Sequence, residues 1–136
     1  AGMLRGGGGG PPPPAPERAL DLQDLELRLA ATTGAPTLVF FGAKTCRACR
    51  ALQPKTERVA REAGARMLYL HHDRASAAAF EAHAVSETPT TLVFDAAGAL
   101  RSKEVYAAAD LPALASLLQA LGGVESGAAA DAEWAP

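Results

Sequence analysis

The sequence lacks the features that mark several large classes of protein. Only two of its 136 residues are cysteine, which excludes a framework of several disulfides. Lys and Arg form no basic stripe and the formal net charge is −2, which argues against a general nucleic-acid binder. No run approaches the roughly 18 apolar residues of a membrane span, so we expect none. The first residues hold no apolar stretch of signal-peptide length, so we expect no export signal.

What remains is the composition of a soluble globular domain with unusual ends. Hydrophobic residues make up 49% and charged residues 21%, and the length suits one compact domain. Residues 1–17 are rich in Gly and Pro and are predicted to be a disordered tail. We assign a folded domain to 18–121 and a flexible acidic tail to 122–136. Trp134 in that tail is either a partner anchor or a frayed residue.

Helical and strand patterns alternate through the middle of the chain. We predict a helix from Asp21, further helices at 46–63, 73–85 and 111–121, and strands at 37–41, 65–71, 90–94 and 100–106. This order predicts the α/β class, with a small mixed central sheet flanked by helices on both faces.

Cys46 and Cys49, two residues apart, are placed where the first strand gives way to a helix. Such a pair is a redox centre, half of a metal site or a coincidence. The first turn of a helix favours an anion because its N–H groups are unpaired and its dipole is positive there. Lys44, Arg47 and Arg50 add positive charge, which should favour a reactive thiolate. The position therefore favours a redox dithiol.

Zinc is the alternative, because His71, His72 and His83 are also present. A structural zinc site needs four ligands in closed spacing. His71 and His72 follow one another at the end of a strand and point to opposite faces, so they make a poor pair. We expect no metal site and interpret the histidines as surface residues.

The stretch around the cysteines resembles the thioredoxin family over 18–121. The resemblance rests on the strand, the Cys-x-x-Cys pair, Pro54 inside the following helix, and Thr88-Pro89-Thr90 before a further apolar strand. It implies a thioredoxin-like fold in which Thr88, Pro89 and Thr90 form a cis-proline loop that binds substrate opposite the dithiol. Cys46-Arg-Ala-Cys49 and the residues after it are also similar to atypical plastid thioredoxins.

The chain departs from the family pattern around the dithiol. Thr45 replaces the usual Trp, and Arg47 and Ala48 replace Gly-Pro. Family members often bury an Asp beneath the second cysteine, and at that position this chain has Phe40. A Lys on the next strand usually pairs with that Asp, and Tyr69 lies near the position of that Lys. Proton removal from the second cysteine would then pass through water or a histidine (His71 or His72), with slow resolution of mixed disulfides. Arg47 should also make the redox potential of the Cys46–Cys49 couple less reducing than that of a general thioredoxin, which is about −270 mV.

The resemblance implies a protein thiol–disulfide oxidoreductase. Cys46 would be the nucleophile and Cys49 the resolving cysteine, with no cofactor beyond their own redox-active disulfide. The partners implied are protein disulfides and a thioredoxin reductase, flavin- or ferredoxin-linked, in a reducing compartment such as the cytoplasm or the chloroplast stroma.

Other interpretations stay open. The chain could be a thioredoxin-like subunit or adaptor of a larger assembly, held by its tails, with redox activity secondary or lost. An oxidase or isomerase of an oxidising compartment would need an export signal. Lys44, Arg47, Arg50 and Lys55 form either a docking surface for acidic partners or a solvated rim.

Overall fold

Strands and helices alternate along residues 15–31 and 34–122, the part of the chain that the computed structural model describes. The strands are β1 (Glu17–Arg18), β2 (Thr37–Gly42), β3 (Arg66–His71), β4 (Thr90–Phe94) and β5 (Leu100–Glu104). The helices are α1 (Leu22–Ala30), α2 (Arg47–Glu62), α3 (Ala77–Ala82) and α4 (Leu111–Gly122), preceded by a short 3-10 turn at Ala108–Asp110. None of the helices in this part of the chain is long and apolar enough to cross a membrane.

The strands form one mixed sheet in the order β1-β3-β2-β4-β5. β1 and β2 both run parallel to β3, while β4 runs antiparallel to β2 and to β5. The α/β prediction, including the late antiparallel hairpin, is confirmed.

Successive residues of β2 supply two separate cores, because side chains alternate between the faces of a strand. Leu38 and Phe40 belong to the cluster that packs against α2 and α4. Val39 and Phe41 belong to the cluster that packs against α1 and α3. Helices therefore cover both faces of the sheet, as the sequence predicts.

α3 is shorter than the predicted helix at 73–85. Asp73 and Ser76 bond to each other's backbone N–H groups through their side chains, at 2.8 and 3.0 Å, and so form a turn where a helix was expected. At the other end Ala84 has a φ of 53°, which is incompatible with a continuing helix. β5 likewise ends at Glu104, two residues before the predicted end.

β1 was not predicted, because two residues are too short to show a strand pattern. Glu17 pairs with Leu68 and Arg18 with Tyr69, so ordered structure includes residue 17, which the sequence assigned to the tail. Residues 1–14 and 123–136, Trp134 among them, lie outside the described residues.

Candidate active site

Cys46 is the N-cap residue of helix α2, directly after the turn that follows β2. Its backbone N–H donates to the Ala43 carbonyl at 3.1 Å, and its carbonyl accepts from Arg50 at 3.2 Å. Its Sγ accepts the backbone N–H of Cys49 at 3.1 Å and so caps the first turn of the helix. An anionic sulfur at this position is stabilised by unpaired N–H groups and by the positive end of the helix dipole.

The two cysteines differ in their access to solvent. They form a disulfide whose Cα atoms are 5.2 Å apart, within the ordinary range. Cys46 is partly exposed, whereas only 2% of Cys49 is exposed. An incoming sulfur can therefore approach Cys46, while Cys49 lies beneath it. This asymmetry suits the roles of nucleophile and resolving cysteine predicted from the resemblance.

Gly42, the last residue of β2, allows α2 to lie this close to the sheet. A Cβ atom at Gly42 would come within 3.0 Å of Phe40 Cε1, 3.3 Å of Cys49 Cβ and 3.4 Å of Cys49 Sγ. Any larger residue would push the ring or the buried cysteine aside. The local sequence pattern does not indicate this role for Gly42. The one available signal was a glycine shortly before the cysteine pair.

The loop before β4 reaches the dithiol, as the resemblance implies. The Thr88–Pro89 peptide bond is cis, and the Thr88 carbonyl oxygen lies 3.7 Å from Cys46 Sγ. Because that sulfur carries no proton in a disulfide, the contact becomes a hydrogen bond only in the thiol form. Thr90 is buried, and its hydroxyl donates to the Glu87 carbonyl at 2.6 Å. The Thr88 carbonyl thus faces the dithiol, whereas the Thr90 side chain holds the loop together.

The basic residues form a rim around the pair. Lys44, Arg47 and Arg50 are all exposed, and the Arg50 guanidinium donates to the Lys44 carbonyl at 2.9 Å. Charges in this position act on the sulfurs through solvent, which weakens the electrostatic interaction and makes it depend on salt concentration. Their influence on the thiolate stays a prediction.

A cavity of about 350 Å³ opens behind Cys49. Its lining residues are Ala43, Lys44, Cys49, Arg50, Gln53, Pro54, Glu57 and His71. Phe40, which occupies the position of the buried Asp of the family, is 1% exposed and pairs in register with Tyr69 on β3. The face of the sheet behind the dithiol thus carries two aromatic residues and, at the end of β3, a histidine.

His71 and His72 lie on opposite faces, as predicted. The His72 ring packs edge-on to Phe80, with 4.7 Å between ring centroids, on the α1/α3 side. His71 is half-buried and lines the cavity. Burial lowers the pKa of His71, Arg18 and Lys44 lower it further, and Asp73 opposes them.

His83 is half-buried and contacts Phe41, contrary to the surface position expected of it. Within residues 15–31 and 34–122, no three His, Cys, Asp or Glu side chains come together as a set of metal ligands.

A thioredoxin family model matches residues 22–120, most of the chain and all of this site. The chain belongs to the thioredoxin family. Its membership supports thiol–disulfide exchange in general at the Cys46–Cys49 pair. No curated protein matches the sequence.

Solved thioredoxins share the fold at low sequence identity. A mutant thioredoxin from Halobacterium salinarum is 24% identical, with a TM-score of 0.71 over 84% of this chain and 96% of that chain. Oxidised thioredoxin O2 from Arabidopsis thaliana is 19% identical, with a TM-score of 0.66 over 79% and 94%. The short form of thioredoxin f from spinach chloroplast is 16% identical, with a TM-score of 0.68 over 83% and 98%.

Proposed function

We propose that this thioredoxin-family protein reduces disulfides in other proteins through Cys46 and Cys49. The observation that carries the proposal is the asymmetric pair: a partly exposed sulfur caps a helix, and a buried sulfur one turn on is already bonded to it. An exchange enzyme needs this arrangement, because one sulfur must meet the substrate and the other must wait within reach.

The reaction starts from the dithiol. The Cys46 thiolate attacks one sulfur of the target disulfide, the target S–S bond breaks, and the departing target sulfur takes the electron pair and a proton. A mixed disulfide then joins Cys46 to the target. Cys49 loses its proton and attacks Cys46 Sγ, which closes the Cys46–Cys49 disulfide and releases the second target sulfur as a thiol. Two electrons pass from the protein to its target.

The cis-proline loop is the proposed substrate platform. The Thr88 carbonyl faces Cys46, so an extended target segment lying there would bring its disulfide to the exposed sulfur. Pro89 shapes this surface, and Thr90 holds it through its bond to Glu87. Main-chain contacts of this kind accept many side-chain sequences.

Each turnover leaves the pair oxidised, so a reductant must restore it. We propose a thioredoxin reductase, flavin- or ferredoxin-linked, and a reducing compartment such as the cytoplasm or the chloroplast stroma. The chain would need no resident cofactor, because the disulfide itself carries the two electrons.

The decisive experiment combines an equilibrium titration with a trap. The full chain is equilibrated in glutathione buffers, and a Cys49→Ser variant is incubated with a cell extract, with Cys46→Ser/Cys49→Ser as the matched control. We expect a single two-electron transition and mixed disulfides formed by Cys49→Ser but not by the double variant. A pair that does not titrate and traps nothing would contradict exchange and favour the adaptor role instead.

A further inference from the structure

We propose that His71 is the proton acceptor for the Cys49 thiol when Cys49 resolves the mixed disulfide. The inference rests on the proposed function, since it concerns the second step of that reaction. Cys49 is nearly inaccessible to bulk water, at 2% exposed, yet it must become a thiolate in order to attack. A base on the protein side of the thiol is therefore needed.

The sheet brings His71 to the same place as Cys49. Gly42 pairs in register with His71, so the two residues are neighbours on adjacent strands, about 4.8 Å apart, and face the same side. That side of Gly42 is where Cys49 Sγ lies, 3.4 Å from the position a Cβ would take. Cys49 and His71 also line one cavity of about 350 Å³, so the two side chains meet on the same side of the site.

Hydrogen bonds orient the imidazole for this task. Gln53 Nε2 donates to the Glu57 carboxylate at 3.3 Å, which turns Gln53 Oε1 towards His71. His71 Nε2 lies 3.4 Å from that oxygen, and because an amide oxygen only accepts, Nε2 carries the proton. Nδ1 is then left with a free lone pair. It is buried and has no hydrogen-bond partner within the described part of the chain.

The other groups around the cavity serve less well. The Phe40 side chain has no group that accepts a proton, Tyr69 is a phenol, and the Glu57 carboxylate already accepts a hydrogen bond from Gln53. The charged and titratable groups that surround His71 are Arg18 on β1, Lys44 in the turn, Arg50 and Glu57 on α2, Tyr69 on β3 and Asp73 after it. Burial, Arg18 and Lys44 favour the neutral ring, the form that accepts a proton.

The proton balance is simple. Cys49 S–H gives its proton to His71 Nδ1, and the resulting thiolate attacks Cys46 Sγ. The bond between Cys46 and the target breaks, the target sulfur leaves with the electron pair, and the imidazolium returns its proton to solvent or to that sulfur. His71 ends the cycle neutral, as it began.

Resolution can be measured apart from the first attack. Reduced full-length protein is mixed with dithiobis(nitrobenzoate) at mildly acidic pH, which leaves a nitrobenzoate mixed disulfide on Cys46. A jump to a final pH between about 5 and 9 starts attack by Cys49, which releases the second coloured thiolate. The variant is His71→Gln and the matched control is His72→Gln, on the opposite face.

We expect the wild-type rate to rise with pH as the His71 imidazole loses its proton. His71→Gln should lack this rise and resolve about tenfold or more slowly near neutrality. The difference between the variant and the wild type should narrow at the highest final pH, where a larger share of the thiol ionises without a base. His72→Gln should follow the wild type throughout. A merely structural role for His71 would lower the rate at every pH and would not remove one inflection.

An unchanged pH profile in His71→Gln would overturn this inference while leaving the proposed function intact. Absence of the first release in wild type and variant alike would instead contradict exchange itself. Should His71→Gln fail to fold, Gln53→Leu provides a second test. It removes the acceptor that fixes the Nε2–H tautomer, so the resolution rate near neutrality should fall and the inflection should shift. An unaltered profile in Gln53→Leu would count against His71 equally.

Discussion

The two ends of strand β3 carry polar residues in opposite circumstances. Arg66 begins the strand and is 6% exposed, yet its guanidinium donates to the Arg28 and Ala31 carbonyls at 2.6 and 3.1 Å and to both oxygens of Glu17. His71 ends the strand with a buried Nδ1 that has no partner among the described residues.

The difference separates a structural residue from a chemical one. Buried polar groups in proteins are nearly always hydrogen-bonded, because leaving one unpaired costs free energy. Arg66 meets this rule and joins β1, β3 and the end of α1. His71 breaks it beside the dithiol, where a free lone pair has a use. The contrast predicts that changes at the Arg66 end affect stability alone, whereas changes at the dithiol end also affect exchange.

Arg66→Met should have the largest effect on stability. It leaves the Arg28 and Ala31 carbonyls without their donor and removes the two bonds from Arg66 to Glu17, which keeps its ion pair with Arg28, so we expect the free energy of unfolding to fall by about 2–3 kcal/mol. The partial exposure of Glu17, at 30%, keeps the loss below that of a fully buried pair. Urea denaturation measures it, with exposed Arg58→Met as the control. The rate at which Cys49 resolves the mixed disulfide should be unchanged in the folded variant. A slower rate would contradict a purely structural role for Arg66.

Gly42→Ala should have the next largest effect, now at the dithiol end. The new Cβ meets the Phe40 ring and Cys49, so we expect a loss of about 1–3 kcal/mol and a shifted redox equilibrium. Denaturation of the oxidised and reduced forms measures both. Adding Phe40→Leu removes the ring atom that the Cβ meets and should recover part of the loss. Full additivity of the two substitutions would show that the contact is unimportant.

Arg47→Gln should change the redox potential without a measurable change in stability. Losing a cation beside Cys46 disfavours the thiolate and hence the reduced form, so the potential becomes more negative by up to about 20 mV. The wild-type couple should be less reducing than about −270 mV. The shift should shrink in high salt, and Lys55→Gln, farther along α2, should show almost none. An equal shift in both variants would assign the effect to net charge.

The smallest effect should be on the pH dependence of stability, to which the two ends of β3 contribute in different pH ranges. Arg66 and Arg28 lower the pKa of Glu17 from 4.5, so its contribution to stability is present above that pH and is lost as pH falls through the folded-state value. Asp24, Asp73 and Asp95 share this acidic window.

Burial lowers the pKa of His71 and His83 from 6.5. Below 6.5 the unfolded chain binds protons first, so stability starts to fall there, above the acidic window. The denaturation midpoint should depend less on pH in the range just below 6.5 for His71→Gln and His83→Gln. For Arg66→Met it should depend less on pH in the acidic range below 4.5. A single window, altered by all three variants alike, would contradict the separation.

The fold and the position of the dithiol follow from local patterns in the sequence. The apolar run at 37–41, the cysteine pair, Pro54 and the Thr-Pro-Thr loop are each short-range signals, and their order along the chain fixes the topology. β1 escaped prediction because its two residues carry no period, and α3 was overestimated because Asp73 and Ser76 bond to backbone N–H groups in a turn.

The burial of Arg66 and the orientation of His71 could not be predicted in this way. An arginine at the start of an apolar strand is usually exposed, and its burial depends on carbonyls 35 and 38 residues away along the chain. The free Nδ1 of His71 depends on Gln53, which is 18 residues away. Such pairings arise from tertiary contact and leave no local pattern.

The edges that the sheet has in the described part of the chain bear on how the protein behaves at high concentration. β1 offers two residues, and β5 has exposed Arg101, Lys103 and Glu104 and an irregular register where it meets Val93 and Phe94. Short, charged and bulged edges resist pairing with strands of other molecules, which is how natural sheets avoid aggregation. We therefore expect neither edge to seed fibrils when the protein is concentrated.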